Sequence, residues 1–258
     1  MSGGSPRGAS VVSRTLAVLG AFDEDHRQLT LSQIATRAQL PTPTVLRLVR
    51  QLVDGGALQR GDTRTYVIGR KLWMLGLLAP VQTDLRDLTA PHLQDLQAAT
   101  RATVHLAVRD GTEAMYIERL AGSRAVPAVS KVGGRLPLHC TGVGKVLLAW
   151  APDLVQQDVL TSLTRHTRHT ITTPALLVAQ MIRIRRDGFA TTSEEMTLGA
   201  CSLAVPIYGP DASVVAALGV VVPSLVRERA RLSAAADVAA RGIARALAAA
   251  GNPSVTVD

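Results

Sequence analysis

The sequence predicts a mixed α and β (α+β) chain in two parts: a small winged helix-turn-helix module and a larger domain with a mainly antiparallel sheet. Apolar residues recur at helical spacing through much of residues 11–53, and strand patterns with intervening helices occupy residues 103–222. The formal net charge of +8 is uneven. Residues 1–75 hold 10 Lys and Arg against 5 Asp and Glu, whereas residues 76–258 hold 18 against 15. A basic module joined to a nearly neutral domain is typical of nucleic-acid-binding proteins.

The composition indicates a packed globular protein and excludes several classes. Hydrophobic residues are 47% of the 258 residues and charged residues 19%. The apolar run 214–222 is far shorter than the ~18 to 20 residues of a membrane span, and the acidic residues Asp23 and Asp25 do not suit a signal peptide. Cys140 and Cys201 form neither a CxxC pair nor a disulfide framework. We therefore expect a cytoplasmic protein with no membrane partner.

The N-terminal module is predicted from two short helices and a hairpin. A helix over residues 11–22 and a polar loop precede Thr30, which is placed to cap a second helix over residues 31–38. Only residues 39–41 separate this helix from the next, and so tight a turn between short helices predicts a helix-turn-helix. Two strand patterns around a Gly-Asp turn, within residues 57–68, predict the wing.

The helix after the tight turn combines an apolar face with a basic one. Thr42 is predicted to be its N-cap, with Pro43 at the first helical position. In this motif the second helix enters the major groove, where Thr44 and Arg47 reach bases and Arg50 reaches phosphates. The predicted DNA-binding residues are Thr42, Thr44, Arg47, Arg50 and, in the wing, Arg64. The alternative is an ordinary amphipathic helix with solvated arginines.

A helical segment and a mixed domain follow. Residues 70–100 have a helical pattern, and Pro80 is expected to kink it. Trp73 and the leucines suit a dimer contact, and the alternative is a helix packed wholly on its own chain. The hairpin signal Asp110-Gly111 then separates two strand patterns. Further elements are predicted as a helix from residue 142, a helix near residues 173–188, strands at 201–208 and 214–222, and a closing helix over about 225–250.

The stretch LHCTGVGKVLLA, residues 138–149, is the most distinctive outside the module. Gly144-Lys145 does not make a phosphate loop, because the first glycine of that motif is replaced by His139. Thr141 is instead placed to cap a helix that begins at Gly142, where free N–H groups and the helix dipole favour a carboxylate or another anion. The alternative is a close helix–sheet contact that needs small residues.

Other groups of reactive side chains give weaker signals. His139 and Cys140 are adjacent and lack a third catalytic partner. His166-x-x-His169 is able to bind a metal with Cys140 or Cys201, but solvated histidines are more common in such a segment. The neighbouring Glu194 and Glu195 suit acid–base chemistry or a structural role. We therefore expect neither an enzyme nor a cofactor.

Four stretches together resemble the IclR-type bacterial transcriptional regulators. They are LSQIATRAQLPTPTVLRLVRQLVDGGALQR, YVIGRKLWMLG, RLPLHCTGVGKVLLA and DGFATTSEEMTLGACSLAVPIYGP. The resemblance implies homo-oligomers, dimers or dimers of dimers, that bind palindromic double-stranded operator DNA. It also implies repression or activation in response to a small organic effector, commonly a carboxylate or an aromatic catabolite. The implied segments are a flexible 1–10, a winged helix-turn-helix domain at 11–70, a linker helix at 71–88, a GAF-like effector-binding domain at 89–250 and a flexible 251–258.

The resemblance also implies an effector pocket. Its residues would be His139, Thr141, Gly142, Val143, Thr192, Ala200, Ser202, Gly219 and Val221. Well-known small-acid sensors of this type have Asp, Cys and two serines where this chain has Thr192, Ser202, Gly219 and Val221. A less polar pocket with a larger, partly apolar ligand is therefore expected. The alternative is a metal- or thiol-responsive regulator that uses Cys140 and Cys201.

Overall fold

The computed structural model describes residues 10–23, 26–76, 83–123, 126 and 129–250. The chain divides into two compact units, Met1–Ala79 and Pro80–Asp258. Among the helices of the described part, none combines the length and the apolar character that a membrane crossing needs.

The first unit is a winged helix-turn-helix, as predicted. Its described helices are α1 (Val11–Leu19), α2 (Leu31–Arg37), α3 (Thr42–Asp54) and α4 (Arg70–Gly76). Its strands are β1 (Gln28–Thr30), β2 (Leu58–Arg60) and β3 (Thr65–Ile68), which form an antiparallel sheet in the order β1-β3-β2. A buried apolar core joins α1, α2, α3 and β2 through residues that include Val18, Ile34, Val45, Leu48 and Leu58.

The start of α2 and the tight turn after it follow from local chemistry. Thr30 caps α2 as predicted: its N–H donates to Gln33 Oε1 at 2.8 Å, and Gln33 N donates to Thr30 Oγ1 at 3.4 Å. In the turn, Gln39 has φ +52, a left-handed conformation that costs a residue with a Cβ roughly 1–2 kcal/mol. The packing of α2 on α3 holds the turn in spite of this cost.

The start of α3 differs from the prediction by one residue. Thr42 is the first helical residue and not the N-cap. The cap position is Pro41, whose carbonyl accepts from Val45 N at 3.1 Å. Pro43 therefore occupies the second helical position, where its missing N–H still costs nothing.

The strand β1 was not predicted, because it lies where a polar loop was expected. Its three residues pair with Thr65, Tyr66 and Val67 of β3. Three residues are too few for a side-chain alternation to be visible in the sequence. The strand forms because β3, distant in sequence, provides its hydrogen-bonding partner.

The second unit contains the predicted mainly antiparallel sheet. Its described helices are α5 (Thr83–Thr100), α6 (Gly142–Ala149), α7 (Asp153–Thr161), α8 (Pro174–Asp187) and α9 (Arg229–Ala249). Its strands are β4 (Thr103–Asp110), β5 (Glu113–Leu120), β6 (Arg135–Pro137), β7 (Ala190–Ser193), β8 (Cys201–Tyr208) and β9 (Val214–Val222). All five pairings in the order β6-β5-β4-β9-β8-β7 are antiparallel.

The two faces of this sheet carry different helices. Alternate residues of β4, such as Val104 and Leu106, pack in one core with α5 and α9. Ala107 of β4 packs in the other core, with α6 and α8. Because side chains of a strand alternate between faces, His105 lies on the α6 side of the sheet.

Two elements were not predicted from the sequence, helix α7 and strand β7. The described parts of the segment predicted as a linker helix at 71–88 are helical and belong to α4 and α5, and residues 77–82, with Pro80, lie outside the described residues. Trp73 on α4 is 60% exposed.

Candidate functional site

A pocket in the second unit lies between the start of α6 and the sheet. Eight of the nine predicted effector-binding residues line it: Thr141, Gly142, Val143, Thr192, Ala200, Ser202, Gly219 and Val221. Its other lining residues are His105, Tyr116, Val129, Ser130, Leu136, Cys140, Met196 and Thr197. None of these described lining residues is Asp, Glu, Lys or Arg, so the pocket is apolar with scattered neutral polar groups.

The start of α6 forms one wall of the pocket. Thr141 caps the helix as predicted, because its Oγ1 accepts from Gly144 N at 3.1 Å. The first backbone bond of the helix runs from Lys145 N to Thr141 O at 2.9 Å. The N–H groups of Gly142 and Val143 precede that bond, and they belong to the first turn, where helix amides have no partner within the helix.

Two glycines allow α6 to approach the sheet closely. A Cβ at Gly142 would lie 2.5 Å from Ser202 Oγ, and a Cβ at Gly219 would lie 2.7 Å from Val143 Cγ1. The close helix–sheet contact that the sequence analysis raised is therefore present. It also leaves the first turn of α6 facing the pocket, so the two interpretations of this stretch are compatible.

Polar side chains stand on the sheet at two places in the pocket. Thr192 and Ser202 are cross-strand neighbours whose hydroxyl oxygens are 2.5 Å apart. On β4, His105 Nε2 lies 2.8 Å from Ser130 Oγ, and the Tyr116 ring meets the His105 ring edge-on at 5.2 Å between centroids. Burial, with the nearby charge of Arg119, lowers the pKa of His105 to about 3, so its ring is neutral at pH 7. Burial likewise raises the pKa of Tyr116.

A buried ion pair supports a further wall. Lys145 on α6 is 0% exposed, and its Nζ donates to Glu195 Oε1 at 2.6 Å and to Oε2 at 2.7 Å. Burial lowers the pKa of Lys145 and raises that of Glu195, and their mutual attraction opposes both shifts. The hydroxyls of Thr167 and Thr170 donate to the carbonyls of Glu194 and Glu195, each at 2.6 Å. These bonds hold the segment that supplies Met196 and Thr197 to the pocket.

His139 is the predicted effector-binding residue that does not line the pocket. Its buried ring turns to a different loop, where Nε2 donates to Thr164 O at 2.9 Å. Ligand atoms of His139, Cys140 and His166 lie within 4.8 Å of one another. This set differs from the possible metal site considered from the sequence, because His169 and Cys201 are not part of it.

The environment of the cysteines does not favour thiol chemistry. Cys140 Sγ donates to Met196 Sδ at 3.5 Å, and burial raises the pKa of Cys140 to about 12. A thiol in this state is not nucleophilic at neutral pH. Cys201 is also buried.

The predicted DNA-binding residues lie on the outside of the first unit. On α3, Arg47 and Arg50 are exposed and Thr44 is half-buried, whereas Val45, Leu48 and Val49 are buried. Thr42 is exposed at the start of the helix. Arg64 is exposed in the turn between β2 and β3, with φ +54. The apolar stripe thus holds α3 on its neighbours and leaves its basic face available.

The residues of the pocket that the sequence analysis missed share one property. His105, Tyr116 and Ser130 belong to segments whose pattern only indicates strands or loops. His105 is a polar residue within a buried strand, and that mismatch was the one available signal.

Comparison with known proteins identifies the family. Residues 11–62 match the IclR helix-turn-helix domain, and residues 79–249 match the domain described as bacterial transcriptional regulator IclR C-terminal. The HTH-type transcriptional regulator XynR of Escherichia coli (strain K12) is 33% identical over 80% of this chain and 83% of its own length. The Pca regulon regulatory protein of Pseudomonas putida is 33% identical over 84% of this chain and 75% of its own length.

A solved structure agrees with both units. The crystal structure of an IclR homologue from Microbacterium hydrocarbonoxydans, complexed with 4-hydroxybenzoate, is similar with a TM-score of 0.87 and 33% identity, covering 93% of this chain and 100% of that one. The chain therefore belongs to the IclR family of bacterial transcriptional regulators and is a ligand-responsive, DNA-binding regulator of transcription.

Proposed function

We propose that the pocket binds an organic carboxylate with an apolar body, and that this binding changes the affinity of the first unit for operator DNA. The observation that carries the proposal is the first turn of α6, which faces a pocket lined by neutral residues. Backbone amides at a helix start attract an anion without a charged side chain. Val143, Leu136 and Val221 supply apolar surface for the rest of the effector.

The effector-binding residues of this proposal are Thr141, Gly142, Val143, Thr192, Ala200, Ser202, Gly219 and Val221, with His139 acting through the loop that it bonds. An aromatic acid fits this chemistry, and the related structure with bound 4-hydroxybenzoate supports that class as a first probe. The protein would act in the cytoplasm, where its DNA is, by binding rather than catalysis, and as a homo-oligomer on paired half-sites.

The proposed operator contacts are those of α3 and the wing. Thr44 and Arg47 would reach base edges, while Thr42, Arg50 and Arg64 would reach phosphates. The exposure of the two α3 arginines and the burial of the opposite face support this assignment. Arginine pairs with guanine through two parallel hydrogen bonds, and phosphate contacts add a salt-dependent attraction.

Fluorescence anisotropy with the DNA upstream of the chain's own gene tests the proposal. We expect salt-sensitive binding whose affinity changes when 4-hydroxybenzoate or a related acid is added. Arg47→Ala should weaken binding to the operator about tenfold more than binding to unrelated DNA. Arg50→Ala should weaken binding to both DNAs by the same factor. The exposed Arg186→Ala, in the second unit, is the control. Operator affinity that no organic acid changes would contradict the effector assignment.

A further inference from the structure

We propose that His105 and Ser130 form a second polar subsite of the pocket, which recognises an uncharged oxygen, a hydroxyl or a carbonyl, on the far side of the effector from its carboxylate. The inference rests on the proposed function, because it needs a carboxylate at the start of α6. It names a specificity determinant built from His105 of β4 and from Ser130, which precedes β6.

The sheet register separates the two ends of the pocket. The first turn of α6 stands over β8 and β9, since Gly142 approaches Ser202 and Val143 approaches Gly219. His105 is on β4, directly opposite Gly219. Adjacent strands are about 4.8 Å apart, so His105 lies one strand spacing from the contact of Val143 on β9 and two spacings, roughly 10 Å, from the contact of Gly142 on β8. A carboxylate at the Gly142 end therefore leaves room for a single aromatic ring whose opposite substituent reaches His105.

The pair retains hydrogen-bonding capacity in either tautomer. Both side chains are buried, with His105 3% and Ser130 5% exposed, and each is the other's partner at 2.8 Å. If Nε2 carries the proton, Ser130 keeps its hydroxyl hydrogen and His105 keeps the Nδ1 lone pair. If Nδ1 carries it, the serine donates to His105 and the ring retains an N–H. One donor and one acceptor therefore remain, which is the complement of a hydroxyl group.

The charges near His105 favour an uncharged substituent of the effector at this end of the pocket. His105 is neutral at pH 7 because of burial and of Arg119, which is its cross-strand neighbour. The Arg119 guanidinium disfavours a cationic substituent at this end. It attracts an anionic one, but Arg119 is not among the described lining residues, so a second carboxylate would lose its hydration without gaining a hydrogen bond from a charged group of the pocket. A neutral oxygen is not repelled by Arg119 and loses less hydration.

Calorimetric titration of the full chain with three acids tests the subsite: benzoate, 4-hydroxybenzoate and terephthalate. We expect 4-hydroxybenzoate to bind about tenfold more tightly than benzoate, and terephthalate no better than benzoate. His105→Phe, which keeps a ring against Tyr116, and Ser130→Ala should each bring the first two affinities within about twofold. The exposed His169→Phe is the control and should leave the tenfold preference intact.

The outcomes distinguish a failure of the His105–Ser130 subsite from a failure of the carboxylate effector itself. Equal binding of benzoate and 4-hydroxybenzoate by the wild type, or a preference that survives in Ser130→Ala, overturns the subsite even if His105→Phe fails to fold. Thr141→Ala should weaken all three acids by a similar factor. If none of the acids binds the wild type, the carboxylate effector itself is wrong, and the subsite falls with it.

Discussion

Lys145 shows how one residue can determine the shape of a binding site without touching the ligand. It is fully buried with Glu195 as its partner. Removing one member of a buried pair leaves a charge without compensation, which typically costs about 3–5 kcal/mol, whereas replacing both members by apolar residues is far less damaging. The sequence suggests no more for Lys145 than a phosphate loop, because its partner is 50 residues away.

We expect Lys145→Met to lower the free energy of unfolding of the second unit by about 3–5 kcal/mol, and Lys145→Met with Glu195→Leu to recover much of that loss. Urea unfolding of the full chain in a Trp73→Phe background measures this, since Trp150 then is the single tryptophan. Asp237→Ala, which breaks the exposed pair with Arg241, should change stability by less than about 1 kcal/mol. A double variant no more stable than the single one would argue against an electrostatic cause.

His105 should make stability depend on pH. Its pKa falls from 6.5 to about 3 on folding, so below pH 6.5 the unfolded chain takes up a proton that the folded chain does not. The free energy of unfolding therefore decreases as pH falls, by about 1.4 kcal/mol per pH unit from this group. Between pH 7.5 and 5.0, wild type should lose about 2 kcal/mol more than His105→Phe. The other buried histidine, His139, contributes equally to both proteins. If the free energies of unfolding of the two proteins changed in parallel with pH, the pKa of His105 would be the same in the folded and unfolded chain.

At the level of elements, the contact between α6 and the sheet should couple packing to ligand binding. Gly219→Ala places a methyl group 2.7 Å from Val143 Cγ1, so α6 must shift or the pocket must deform. We expect at least a tenfold loss of effector affinity with DNA affinity within about twofold of wild type, measured by calorimetry and anisotropy. Gly76→Ala, where an added Cβ meets no atom of the described residues within 4 Å, is the control. Unchanged effector affinity in Gly219→Ala would show that α6 tolerates displacement.

The elements that could be predicted from the sequence are those determined by residues close to one another in the chain. The α2 cap needs only Thr30 and Gln33, and the apolar stripe of α3 is visible as helical spacing. Strand β1 depends on β3, and the approach of His105 to Ser130 depends on how a loop returns to the sheet, so neither is encoded in a short window. The pocket residues at the start of α6 were found because the glycines and Thr141 lie next to one another in the sequence. His139 shared that neighbourhood, yet its ring turns to Thr164.

At the scale of the whole molecule, the two compact units must exchange free energy if an effector in one is to change DNA binding by the other. Linkage makes this coupling reciprocal: if saturating operator DNA changes the affinity of each effector site by a given factor, saturating effector must change operator affinity by the product of these factors over the effector sites of the bound oligomer. For a homodimer with one pocket per chain, we expect the operator factor from anisotropy with saturating 4-hydroxybenzoate to equal the square of the per-site factor from calorimetry with saturating operator, within about twofold. Arg47→Ala should preserve effector affinity in the absence of DNA and lose its sensitivity to added operator. An operator factor that departs from this square would contradict one coupled pocket in each chain of a dimer.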